Sequence, residues 1–142
     1  MLGYEELKEI LPQNWPFLML DRVIDYKKDD YLVAIKNISA NEWFCDGQSD
    51  GGTVFPETLL IEAAAQAALV LYHLSRVKKG ERRRYVLGRA NAEFSARVSV
   101  GDQLHIKAFA TKMMDVGGYS NIDIGLNSTI VGKVEVVYSV QK

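Results

Sequence analysis

The stretch from Pro56 to Val77 constrains what this chain can fold into more than any other. It places Ala63, Ala64, Ala65, Ala67 and Ala68 among Leu59, Leu60, Ile61, Leu69, Val70 and Leu71. Alanine is the strongest helix former, so this segment is expected to be one long helix. Pro56 suits a helix start, where an N–H would have no intrahelical partner, and Glu57 complements the positive end of the helix dipole. Apolar residues run almost all the way round, which is the pattern of a buried helix rather than a surface one. The rest of the chain must therefore supply a covering layer, and the small alanine side chains let that layer approach closely.

The remaining sequence supplies strands. Glu5 to Leu11 reads as a short helix stopped by Pro12. Phe17 to Tyr26 reads as a strand, Lys27-Lys28-Asp29-Asp30 as a polar turn, and Tyr31 to Ile38 as the hairpin partner. Asn41 to Thr53 is irregular and contains glycines. After Gly80 four further strands are expected: Arg84 to Val98, Gln103 to Met114, Tyr119 to Leu126 and Ile130 to Val140. Gly101-Asp102, Gly117-Gly118 and Asn127-Ser128 separate them. In the second of these, Leu104, Ile106, Ala108 and Ala110 alternate with His105, Lys107, Phe109 and Thr111, the period-two pattern of a half-buried strand. Two strands, one buried helix and four strands lack the crossover helices of a doubly wound parallel sheet. The expected class is α+β, an antiparallel sheet wrapped around one long central helix.

Size and composition narrow the function classes. A chain of 142 residues, 48% hydrophobic and 25% charged, fits one domain spanning 1–142 with a substantial core. A formal net charge of -1 argues against nucleic-acid binding by bulk electrostatics. Cys45 is the single cysteine, which precludes an intrachain disulfide and suits a reducing cytoplasm. The acidic N-terminal residues do not resemble a secretory signal. Glu62, Gln66 and His73 interrupt the longest apolar stretch, so no membrane span is expected. No metal-ligand cluster, phosphate-binding glycine loop or nucleophile elbow is present, and no cofactor is implied.

Several segments then resemble, in order and with similar spacing, the bacterial 3-hydroxyacyl-(acyl carrier protein) dehydratases. They are Leu11-Pro12-Gln13-Asn14-Trp15-Pro16-Phe17-Leu18-Met19-Leu20-Asp21-Arg22-Val23, Ile35-Lys36-Asn37-Ile38 with Asn41-Glu42, Leu59 through Ala68, and Val98 with Gly101-Asp102-Gln103-Leu104. The resemblance covers nearly the whole chain. It implies a hotdog fold paired into a dimer, homodimeric or mixed with a hotdog homologue, possible higher assembly included. It also implies an acyl chain carried on the phosphopantetheine of acyl carrier protein and entering a tunnel at the dimer interface.

The catalytic loop departs from that family. Where the family has Gly-His-Phe-Pro, this chain has Gly47-Gln48-Ser49-Asp50, and Glu57 replaces the glycine after Pro56 at the helix start. The family's helix glutamate is retained as Glu62. Dehydration removes an α-proton and protonates the departing β-hydroxyl, and the family divides these tasks between a histidine and a carboxylic acid. Gln48 can hydrogen-bond but cannot act as a base near neutral pH, a loss worth about 10²- to 10⁴-fold. Glu57 also obstructs the close backbone approach that a glycine permits. Glu62 sits among alanines and aliphatic residues, so a partner or a raised pKa is expected for it, and Gln66 one turn on could orient it.

Candidates to replace the missing base are few. His73 lies eleven positions after Glu62, roughly 16 Å along the helix axis, and a structural or surface role is expected. His105 is expected to face outward beside Lys107. Asp50 is the near candidate, although a turn-stabilising role is the commoner one for such a residue. The resemblance implies substrate contacts for Gly47, Pro56, Glu57 and Gln66. The run Lys78, Lys79, Arg82, Arg83 and Arg84 ordinarily reads as a solvated loop; with the resemblance, it becomes a candidate docking patch for an acidic carrier protein. Three readings follow: a dehydratase-fold subunit impaired on its own, a hotdog thioesterase using Glu62 to activate water, and a non-catalytic acyl-carrier-binding protein.

Overall fold

The computed structural model describes residues 1–13, 17–41 and 54–142. Gly47, Gln48, Ser49, Asp50 and Cys45 lie outside the described residues. In chain order the elements are α1 (Tyr4–Ile10), β1 (Arg22–Lys27), β2 (Tyr31–Asn37), α2 (Glu57–Arg76), β3 (Arg84–Phe94), β4 (Gln103–Met114), β5 (Gly117–Leu126) and β6 (Thr129–Gln141). The six strands form one sheet in the order β1-β2-β4-β5-β6-β3, with every neighbouring pair antiparallel. This is the hotdog arrangement, with α2 as the filling.

The long helix forms where its composition requires it. Pro56 occupies the N-cap with φ -62 and ψ 131, its carbonyl accepts from Leu59 and Leu60, and Val77 ends the helix in extended backbone. Residues 63–73 are buried without a break, so α2 is covered on all sides. On one side lie inward-facing strand residues such as Leu32, Ala34, Leu104, Ile106, Ile122 and Val136; on the other lie Leu7, Leu11, Leu18, Met19 and Leu20. By length and mean hydropathy (1.3) α2 alone among the described residues is apolar enough to cross a membrane, but 67% of that window is buried inside the fold. Its hydrophobicity is used in the core.

Three strand boundaries differ from expectation. Phe17 to Asp21 precede β1 rather than belonging to it: a side chain of α2 takes backbone groups of Phe17 and Met19, and of the segment's backbone only the Asp21 N–H reaches β2, at the Ile35 carbonyl. The N–H of Met19 donates to Gln66 Oε1 at 2.8 Å, and Gln66 Nε2 donates to the carbonyl of Phe17 at 2.7 Å. β3 ends at Phe94, and beyond Ser95, whose N–H still donates to the Val131 carbonyl of β6 at 2.9 Å, the chain turns so that the Val98 carbonyl accepts from Phe55 at 2.8 Å. Gly117 and Gly118 open β5 instead of forming the turn. Tyr138 on β6 lies directly across from Gly118, and a Cβ there would stand 2.5 Å from the Tyr138 hydroxyl and 2.7 Å from the Lys112 carbonyl. These glycines serve close approach.

The two edges of the sheet differ. β1 is capped by Leu2, which exchanges two backbone hydrogen bonds with Val23. Among the described residues nothing pairs with the outer edge of β3, where Val86 and Leu87 are each 45% exposed.

Candidate functional site

α2 presents Glu62, Ala65, Gln66 and Leu69 on one face, as positions three and four apart must be. This face meets Tyr85 and Leu87 of β3 and Val136 and Tyr138 of β6, with Gln13 beside it, around a cavity of about 50 Å³. Tyr85 lies opposite Val140 and Leu87 opposite Tyr138; an inserted residue between Leu87 and Arg89 then shifts the strand's phase, so that Ala90 and Ala92 lie opposite Val136 and Val134. The cavity thus lies at the side of the sheet that carries the unpaired β3 edge.

Glu62 is half-buried, more open than its apolar neighbours in sequence suggest. The expected partner is present. One carboxylate oxygen, Oε1, accepts from Gln66 Nε2 at 3.0 Å and from Gln13 Nε2 at 3.2 Å. The other, Oε2, makes no hydrogen bond with a described residue. Two amide donors on one oxygen hold the carboxylate in a single orientation and leave Oε2 available for proton exchange with a bound molecule. Gln66 is fully buried, and both of its amide hydrogens and its carbonyl oxygen are engaged. It couples Glu62 to the 17–19 segment, more than the single orienting contact expected of it.

Gln13 was part of the family-like signature without an assigned role. Its Oε1 is buried and has no hydrogen-bond partner among the described residues. Buried polar atoms are rarely left so, and the cost of one is about 1–3 kcal/mol.

Beyond Leu69, three tyrosines and a histidine close the far side. Tyr72 packs edge-on against Tyr85 and Tyr138, with ring centroids 6.2 and 5.7 Å away, and donates to the carbonyl of Met114 at 2.8 Å. His73 is buried, with Nδ1 3.2 Å from the Tyr85 hydroxyl. Burial lowers its pKa, assisted by the positive charges of Arg83 and Arg82. The imidazole and the Tyr85 hydroxyl share one hydrogen bond, whose direction follows the tautomer of the neutral ring. Burial likewise raises the hydroxyl pKa values of Tyr85 and Tyr138, with Tyr72 contributing to each. His73 is therefore structural, and the surface alternative falls away. His105 is exposed beside Lys107, as its alternation requires.

Pro56 and Glu57 stand at the N-terminus of α2, with Glu57 exposed. The basic run is less uniform than its sequence. Arg83 pairs with Glu81 at 2.7 Å, Arg82 donates to the Leu11 carbonyl at 3.4 Å, and Arg84 begins β3. Lys78, Lys79 and Arg84 are exposed and make no ion pair with a described residue. No group of three histidine, cysteine, aspartate or glutamate side chains capable of holding a metal occurs among the described residues.

Residues 11–139 match the family model of the FabA-like domain. The chain is 45% identical over 108 residues to the 3-hydroxyacyl-[acyl-carrier-protein] dehydratase FabZ of Legionella pneumophila, covering 75% of this chain and 72% of that protein. It is 32% identical over 139 residues to the FabZ of Listeria welshimeri, covering 98% and 96%. Among solved structures, the dehydratase heterocomplex ApeI:P from Xenorhabdus doucetiae superposes with a TM-score of 0.80 at 19% identity, over 96% of this chain and 90% of that one. With its α2 carboxylate, its hotdog sheet and these relatives, the chain belongs to the FabA-like domain family, as a dehydratase-like member akin to the 3-hydroxyacyl-[acyl-carrier-protein] dehydratases.

Proposed function

We propose that this chain is a single-domain, cytoplasmic subunit of a cofactor-independent dehydratase for 3-hydroxyacyl thioesters carried on acyl carrier protein, and that it needs a second hotdog chain to supply the base. The observation that carries this reading is the Glu62 carboxylate, held through Oε1 by two glutamine amides with Oε2 left for proton exchange beside a cavity.

In the reaction a base takes the proton from Cα and the Cα–Cβ double bond forms. The Cβ–O bond breaks as Glu62 gives its proton to the hydroxyl, which leaves as water. Gln48 stands at the family's histidine position and cannot serve as that base. Gly47, Pro56 and Glu57 would border the thioester, and Gln66 fixes the acid. The unpaired β3 edge, with Val86 and Leu87 exposed, supports pairing with a second chain whose sheet continues this one. A dehydratase heterocomplex among the structural neighbours supports a mixed pair. Lys78, Lys79 and Arg84 are the charges best placed to attract an acidic carrier protein.

The test is dehydration of 3-hydroxyacyl carrier protein by the purified chain, alone and mixed with a histidine-bearing homologue. Turnover by the mixture far above the sum of the separate chains is expected. Thioester hydrolysis that disappears in Glu62→Gln would favour the thioesterase reading; carrier binding with no turnover in either preparation would leave a binding module.

A further inference from the structure

Gln13 carries an acceptor that no described residue matches. Its Nε2 donates to Glu62 Oε1, which fixes the sense of the amide: turned over, it would set two acceptor oxygens against each other. Its Oε1 is then buried with no partner among the described residues, although Gln13 lines the same cavity as Glu62. The terminal torsion of a glutamine is soft, so a small turn brings Oε1 to a donor in that cavity.

An occupant of the cavity can supply that donor. The chain carbons, the thioester sulfur and the thioester carbonyl of an acyl group offer none, whereas a hydroxyl at Cβ both donates and accepts. We infer that Gln13 is the hydroxyl-recognising residue of this site, its Oε1 accepting from the β-hydroxyl of a 3-hydroxyacyl thioester while its Nε2 holds Glu62. The same hydroxyl oxygen then turns a lone pair toward Glu62 Oε2, the direction in which protonation must come. This inference rests on the reading of the site as one for acyl thioesters, and it adds selectivity. Neither a saturated chain nor the 2-enoyl product has a donor at Cβ, so neither satisfies Gln13.

The experiment compares binding of two pantetheine thioesters of equal chain length, one 3-hydroxylated and one saturated, to the purified chain by titration calorimetry. The pantetheine amides are common to both ligands, so any contact they make with Gln13 cancels in the comparison. The wild-type chain should prefer the hydroxylated ligand by roughly tenfold, the worth of one hydrogen bond that satisfies a buried acceptor. Gln13→Met keeps the length of the side chain and removes both its acceptor and its bond to Glu62, which Gln66 still holds. It should lose the preference for the hydroxylated ligand. Equal wild-type affinity for the two ligands overturns the inference whether or not the variant folds, as does a preference that survives Gln13→Met. Binding of neither ligand overturns the reading of the site, and this inference falls with it.

Discussion

Gln66 Nε2 donates to the Glu62 carboxylate at 3.0 Å from one helical turn away, and the same side chain accepts from the backbone of Met19 at 2.8 Å. One buried amide therefore ties Glu62 to the segment that covers α2. Gln66→Leu removes both links and orphans the Met19 N–H in the core. The expected cost is about 1–3 kcal/mol of stability, which lowers the melting temperature by roughly 3–10 °C for a chain of this size. A thermal melt within a degree of wild type would show that the covering segment is held by apolar packing alone.

Gly118 lies under Tyr138, one of the cavity walls. Gly118→Ala drives a methyl into the tyrosine hydroxyl at 2.5 Å and the Lys112 carbonyl at 2.7 Å, so the ring must move or the strands must part. Overpacking of this kind costs about 1–3 kcal/mol. Tyr138→Phe removes the nearest of three close atoms and leaves the ring carbon Cζ, at 2.8 Å, in place, so a double-mutant cycle in urea should show the alanine costing less in the phenylalanine background. Strict additivity would mean that the Lys112 carbonyl and the ring carbon set the limit.

His73 makes stability depend on pH. Burial, then the charges of Arg83 and Arg82, lower its pKa in the folded state, and its neighbour across the cavity wall is the neutral Tyr85 hydroxyl. The unfolded chain takes up the proton near pH 6.5, while the folded chain resists it. The unfolded state thus binds more protons as pH falls, and stability present above about pH 6.5 is lost below it. His73→Gln should flatten the fall in unfolding free energy between about pH 7 and pH 5 relative to wild type. Parallel profiles for the two proteins would assign the pH dependence to carboxylates instead.

Much of the fold is legible in the sequence because its strongest signals are local. The alanine run with Pro56 gives α2 to within a residue at each end, and the alternation from Leu104 to Ala110 gives β4. Where the reading fails, a tertiary contact overrides a local rule. Phe17 to Asp21 reads as continuous with the strand formers Val23, Ile24 and Tyr26, but Gln66, distant in sequence, takes the Phe17 carbonyl and the Met19 N–H. Gly117-Gly118 looks like a turn, but the facing Tyr138 is what requires glycine there. In the site, Glu62 and Gln66 are legible from an interrupted apolar face. Gln13 is not, since a lone glutamine in a loop gives no sign of the carboxylate it will meet on α2. Tyr85 and Tyr138 likewise look like ordinary strand aromatics until the sheet closes on the helix.

The basic run should be read through its pairings. Arg83 is bound to Glu81 and Arg82 to a carbonyl, whereas Lys78, Lys79 and Arg84 are exposed without ion pairs among the described residues. Charge reversal at Lys78, Lys79 and Arg84 should therefore weaken acyl-carrier-protein association more than reversal of Arg82 and Arg83, mainly through the on-rate. The effect should fade as salt rises, because exposed charges are screened over about 8–10 Å. Unchanged stopped-flow association rates at low ionic strength would reduce the run to a solvated loop.

The missing base determines how a mixed dimer must behave. In the family that this chain belongs to, as its resemblance implies, histidine from one subunit faces glutamate from the other. In the proposed arrangement, two copies of this chain would bring together Gln48 and Glu62 twice and no histidine at either site. Pairing with a histidine-bearing homologue would create one competent site, which joins the partner's histidine to this chain's Glu62, and one weak site with Gln48. Glu62→Gln in this chain should then reduce turnover of the mixed dimer by about 10²- to 10⁴-fold, whereas Gln48→Ala should change it little. Gln48→His should restore little to the homodimer, because Ser49, Asp50 and Glu57 also depart from the family loop. Steady-state dehydration rates of the four preparations decide the matter. Robust turnover by the wild-type homodimer would overturn the division of labour and direct attention to Asp50 as a relocated base.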